Sequence, residues 1–223
     1  MALIQAHSKM SDIITSTPDI IPVINRFGIL LGTGDKTITG ICASHNLDPE
    51  FLLCIINTYI NEEYFPERAL KSFCASTIIS YLEKTYKSYQ LFQLPNIERH
   101  FEFLIGRSGN NNNLGLMKRF FDELKTELMS RIHNDITTWF PCVRNMESGL
   151  SQENVDVDCS TNIIDKLNDL KHMFILHLSG EYEPNLCYGV IAAIISLEKD
   201  IRQNDRIRNR ILLPLYKSLA QPN

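Results

Sequence analysis

What most constrains this chain is the spacing of its apolar residues. Threes and fours recur over long stretches, while alternation in twos is short and rare. That periodicity gathers apolar side chains into one stripe along a helix and leaves little that suits a half-buried strand. The expected fold class is therefore all-α. With 44% hydrophobic residues over 223 positions, the chain can fill a core. Most of its glycines fall from 28 to 40, from 106 to 115, and at 149 and 180, and these punctuate the helical stretches.

The first 66 residues read as short helices. Thr17-Pro18 predicts a helix start, hydroxyl as cap and proline in the first turn, with the helix ending at Phe27-Gly28. A second helix is expected over 37–44. A third, capped by Asp48-Pro49, is expected over 50–57. Residues 61–66 read as a linker, which gives a small N-terminal domain, 1–66, and a second domain, 67–223. The second domain carries four longer helical segments, near 75–105, 114–143, 161–178 and 185–219. Pro95 predicts a kink or break in the first of them. The Asn-rich tract at 108–113 reads as a flexible turn. With short and medium connections, an up-down-up-down four-helix bundle is the expected arrangement.

The second and fourth segments end alike. Ten and six residues before Pro141 stand Arg131 and Asp135; at the same counts before Pro214 stand Asn204 and Arg208. Each pair is spaced i, i+4 and shares a helix face. On that face run Met117, Phe121, Leu124, Leu128, Arg131, Asp135 and Thr138 in one segment. In the other run Ile194, Leu197, Ile201, Asn204, Arg208, Ile211 and Leu215. Charges in an apolar seam are unfavourable unless paired. Two interruptions at one depth therefore point to an interior polar cluster, with Asp135 neutralised by Arg131 or Arg208. The alternative is a rotated seam, with Ile132, Ile136, Trp139 and Val143 inward and the charged pairs in solvent.

These features carry a resemblance over nearly the whole chain. The first domain contributes Ser11-Asp-Ile-Ile, Val23-Ile-Asn-Arg-Phe-Gly28-Ile and Ile41-Cys-Ala-Ser-His-Asn-Leu47. The second contributes Tyr81-Leu, Gln93-Leu-Pro95, Trp139-Phe-Pro141, Asp165-Lys-Leu-Asn-Asp-Leu-Lys171 and Ile211-Leu-Leu-Pro214. In this layout the chain resembles the repair-of-iron-centres proteins, di-iron hemerythrin-like bundles preceded by a small helical domain. The resemblance implies a protein of iron–sulfur cluster repair and of the response to nitric oxide or oxidative stress; composition and the first ten residues, which do not have the pattern of a secretory signal, give the expectation of a cytoplasmic one. The resemblance also implies self-association. Members of the family carry His and Glu at i, i+4 before each of the two prolines, and one His on each of the other two helices. Here Arg131 and Asp135, then Asn204 and Arg208, occupy the paired positions. The first helix offers Lys87, or Tyr86 if the register slips by one; the third offers Ser160 or Cys159. Of Lys87, Arg131, Asp135, Ser160, Asn204 and Arg208, only Asp135 could still ligate iron, and arginine keeps its proton in proteins. The family's adjacent cysteines after Phe-Gly are replaced by Gly32 and Thr33.

The expectation is a non-enzymatic binding or regulatory protein without metal or other cofactor. Lys87, Arg131, Asp135, Ser160, Asn204 and Arg208 form its degenerate ligand cluster, and its partner is an unidentified protein or a small anion. Retained iron binding is the alternative reading, and transcriptional control through the N-terminal helices is a second. Against that last one, residues 1–62 hold three more acids than bases, where DNA readers are basic. The net charge of -4 likewise opposes nucleic-acid binding, and no apolar run is long enough for a membrane span. Gly32-Thr-Gly-Asp-Lys-Thr37 departs from a phosphate loop because Asp35 interrupts it. The six cysteines include no Cys-x-x-Cys pair and read as buried or half-buried thiols. The histidines read as surface or half-buried residues, and the basic run 199–210, Arg208 apart, as a solvated face. No nucleophile–histidine arrangement or carboxylate pair suits catalysis.

Overall fold

The computed structural model describes residues 3–109, 111–150, 154–157 and 162–220, and over these the protein is all-helical. The order is α1 (Met10–Ser16), a 3-10 turn (Pro18–Ile20), α2 (Ile21–Asn25), α3 (Ile38–His45), α4 (Pro49–Ile60), α5 (Glu67–Leu70) and α6 (Ala75–Ser88). There follow α7 (Leu94–Arg107), α8 (Asn112–Asn134), α9 (Phe140–Glu147), α10 (Ile163–His172), α11 (Pro184–Ile207) and α12 (Leu213–Leu219). No helix among the described residues is long and apolar enough to cross a membrane.

By packing, the chain divides into two compact units, one of Met1–Thr85 with Gln203–Asn223 and the other of Tyr86–Arg202. The division falls within α6 and within α11. Neither unit is bounded at residue 66, where the sequence reading set its division.

In the first unit the helix starts follow their caps. The Thr37 hydroxyl accepts from the Gly40 amide at 3.2 Å, and Asp48 Oδ1 accepts from the Glu50 and Phe51 amides at 2.8 and 3.1 Å. Thr17 does not cap. Its amide closes α1 onto the Ile13 carbonyl at 2.9 Å, so it ends a helix that the apolar pattern had not announced. The buried Asn57 side chain exchanges two hydrogen bonds with the backbone of Ile4, at 2.7 and 2.9 Å. The sequence linker 61–66 is clamped. Arg206 donates to the Glu62 and Tyr64 carbonyls at 2.9 and 3.1 Å, while the guanidiniums of Arg206 and Arg210 lie 4.6 and 4.3 Å from the Phe65 ring centre. Arg210 also meets Glu67 at 2.8 Å. The basic run is thus only partly a solvated face: Arg206 and Arg210 hold the linker.

In the second unit apolar stripes supply the core: Ile97, Phe101 and Leu104 on α7; Met117, Phe121, Leu124 and Leu128 on α8; Ile163, Leu167 and Leu170 on α10; Val190, Ile194, Leu197 and Ile201 on α11. Ion pairs and polar contacts tie neighbours: Glu98 with Lys125 at 2.6 Å, Glu127 with Lys166, and Glu198 with Lys171. Gln93 donates to Asp200 at 2.8 Å. The Asn-rich tract is a latch. Asn111 caps α8 with its oxygen while its amide donates to the Ser179 and Glu181 carbonyls at 2.8 and 3.1 Å. Asn113 reaches the His177 carbonyl at 2.7 Å.

Pro95, Pro141 and Pro214 do not break their helices. Each sits two residues beyond a π-helical turn, Tyr89–Gln93, Asp135–Trp139 or Arg208–Leu212. A proline ring clashes with the carbonyl four residues back and offers no N–H. The wider turn accommodates it, and i to i+5 bonds run from Leu94 to Tyr89, Phe140 to Asp135 and Leu213 to Arg208. Each turn inserts one residue and advances the seam by one. Trp139 is buried where Thr138 was expected, and Tyr216 where Leu215 was expected. A fourth such turn, Met173–His177, ends α10 without a proline.

Candidate functional site

Four of the six predicted site residues are buried: Arg131 is 6% exposed, Asp135 3%, Asn204 3% and Arg208 2%. The rotated-seam alternative is half right, because Ile132, Trp139 and Val143 are buried too. The inward face here is wide enough for both sets. Lys87 is a correction: it is exposed, and Tyr86, the one-residue slip, is the buried residue. A lysine at that position keeps its ammonium in water, whereas a tyrosine brings both ring and hydroxyl inside. Ser160 and Cys159 lie outside the described residues.

Within the unit of Tyr86–Arg202, the Tyr86 hydroxyl donates to Asp135 Oδ2 at 2.6 Å. The Tyr86 ring stacks on Phe140, with centres 5.8 Å apart and planes 8° apart, and tilts against Tyr89 at 6.3 Å. Asp135 opens its π turn, so its carbonyl takes the Phe140 amide while its side chain faces the tyrosine. Arg131 lies one turn earlier on α8, also buried. The same unit holds two further buried acids. Glu198 takes Lys171 and Arg202, and Asp200 takes Gln93.

In the unit of Met1–Thr85 with Gln203–Asn223, the buried Thr85 hydroxyl donates to the Tyr81 carbonyl at 3.0 Å and stands 3.5 Å from Asn204 Oδ1. Arg208 donates to Asn209 Oδ1 at 2.9 Å. Thr85 and Tyr89 were missed by the sequence reading, yet Pro95 signals them. Ten and six residues before it, the counts that gave the other two pairs, stand these two fully buried residues.

These residues do not fit a di-iron centre. Bridged iron needs imidazole and carboxylate donors, whereas guanidinium has no lone pair to offer and repels the ion. The side chain that meets Asp135 at 2.6 Å is a phenol, and the expected acid position on the last helix is a buried arginine. No group of three or more His, Cys, Asp or Glu suited to a metal occurs among the described residues.

Of the cysteines, Cys42, Cys54 and Cys187 are buried and Cys142 is half-buried; Cys74 is exposed, against expectation, because it stands at the open start of α6. Burial pushes the Cys54 thiol up to about 11, with the charges of Glu50 and Asp48 adding to it. His133, His172 and His177 are exposed, as surface histidines would be. No family model matches the chain, and no curated protein matches it.

Proposed function

We propose that this is a non-enzymatic binding or regulatory protein, built like the repair-of-iron-centres proteins but disarmed at the metal positions. The reading takes α6–α7, α8–α9, α10 and α11–α12 as the four rods of an up-down-up-down, hemerythrin-like bundle. The ties Glu98–Lys125, Glu127–Lys166, Glu198–Lys171 and Gln93–Asp200 support that order, since each joins helices that are neighbours in such a bundle. One observation carries the functional reading: Arg131 and Arg208, at the counts where the family has ligands, are both inside the protein. Buried guanidiniums oppose a divalent cation and favour carboxylates, whether the protein's own or those of a small anion.

Metal analysis of chain purified from iron-supplemented cells tests this. The expected result is iron well below one atom per chain. Two irons per chain with an oxo-bridge absorption band would overturn the reading in favour of retained iron chemistry.

A further inference from the structure

In the unit of Met1–Thr85 with Gln203–Asn223, a cavity of about 330 Å³ opens between the turn joining α3 to α4 and the outer face of α6. Its floor is aromatic. Phe27 stacks on Tyr81 with centres 5.6 Å apart, and Phe51 meets both edge-on at 6.2 and 6.1 Å. The buried Arg26 donates to the Tyr81 hydroxyl at 3.3 Å, which helps to fix the ring. Leu47 extends the apolar wall. Phe27 and Leu47 are half-buried, so the floor is reachable from outside.

Two opposite charges line the same cavity. Asp48 stands on the turn and Lys84 on α6. Asp48 spends one carboxylate oxygen, Oδ1, on the α4 cap. Lys84 is exposed and has no ion-pair partner among the described residues. An aromatic floor between a carboxylate and an ammonium is complementary to a molecule with an apolar body, a positive group and a negative group. We propose that this cavity binds a small zwitterion with an aromatic body, of the free amino-acid class, its ammonium toward Asp48 and its carboxylate toward Lys84. The volume sits at the small end of ligand pockets and suits a molecule of that size. This site is independent of the buried arginines, and its failure would leave the disarmed-bundle reading untouched.

Titration of the full chain with L-phenylalanine, followed by calorimetry and by the ring resonances of Phe27 and Tyr81, tests it. Saturable binding is expected. N-acetyl-phenylalanine, which lacks the ammonium, and phenylalaninamide, which lacks the carboxylate, should each bind roughly tenfold more weakly. Lys84→Gln should weaken L-phenylalanine by a similar factor while leaving phenylalaninamide unchanged. Asp48→Asn keeps a residue that caps as well as aspartate and should weaken L-phenylalanine while sparing the N-acetyl compound. Helical circular dichroism confirms that both variants fold. The absence of saturation up to about 10 mM, or variants that bind all three compounds as the parent chain does, would overturn the proposal.

Discussion

The Tyr86 hydroxyl stands 2.6 Å from Asp135 Oδ2, and both residues are buried. The contact joins α6 to the first residue of the π turn that follows α8. Tyr86→Phe keeps the ring against Phe140 and removes one donor from a buried carboxylate. Its expected effect is a loss of about 1–3 kcal/mol in urea unfolding, with helix content unchanged. Asp135→Asn, which keeps the volume and an acceptor for the phenol and removes the charge, should cost less than Asp135→Ala; an equal loss would show that the charge alone, and neither the acceptor nor the volume, matters.

The π turns are one-residue insertions held in place by prolines, and this predicts a non-additive pair. Deleting the exposed Thr138 takes the inserted residue out but brings Pro141 into a tight helix, where it is unfavourable by about 3 kcal/mol. Deleting Thr138 together with Pro141→Ala should recover most of that stability. Denaturant midpoints of the two variants decide the matter.

The latch at the start of α8 predicts sensitivity in a loop. Asn111→Ala removes the α8 cap and two donors to the 179–181 backbone, and the expected loss is about 1–2 kcal/mol. Gly180 has φ of +82°, and an added Cβ would lie 3.4 Å from the Asn111 amide nitrogen. Gly180→Ala should lower the midpoint of thermal unfolding by a similar energy, read by calorimetry.

The buried Cys54 gives an alkaline prediction. Its thiol titrates near 11 when folded against an ordinary value of 9.0. Between those values the unfolded chain has lost the proton and the folded chain has kept it, so stability falls as pH rises through that window. The expected decline is about 2 kcal/mol by pH 11, and Cys54→Ala should flatten the corresponding part of the profile. In a Cys159→Ser background, a thiol reagent at neutral pH should label Cys74 first, Cys142 more slowly, and Cys54 only on unfolding.

Much of this architecture was legible in the residues. Thr37 and Asp48 announced their helices because a cap is a local bond, complete within three residues. The four long segments were legible because their apolar stripes run for many turns. The depth of Arg131, Asp135, Asn204 and Arg208 followed from counting on an α-helical period, which holds up to the π turns. Beyond Asp135 and Arg208 the same count failed by one, at Thr138 and Leu215, because a hydrogen-bond pattern rather than a residue type sets the phase. On the first helix the count left Lys87 and Tyr86 as neighbours one step apart, and the buried one is Tyr86. The Asn111 and Asn113 latch had no local signal at all, since its acceptors lie 64 to 70 residues away. The clamp on Phe65 was equally silent.

That clamp bears on how the protein matures as it leaves the ribosome. Tyr64 and the arginine that grips its carbonyl are 142 residues apart, so at about 5–20 residues per second the early helices emerge several seconds or more before their fastener is made. Nascent chains shortened before Arg206 should carry an ungripped 61–66 segment that proteases cut readily, and acquire protection only once Arg206 and Arg210 are made and free of the ribosome.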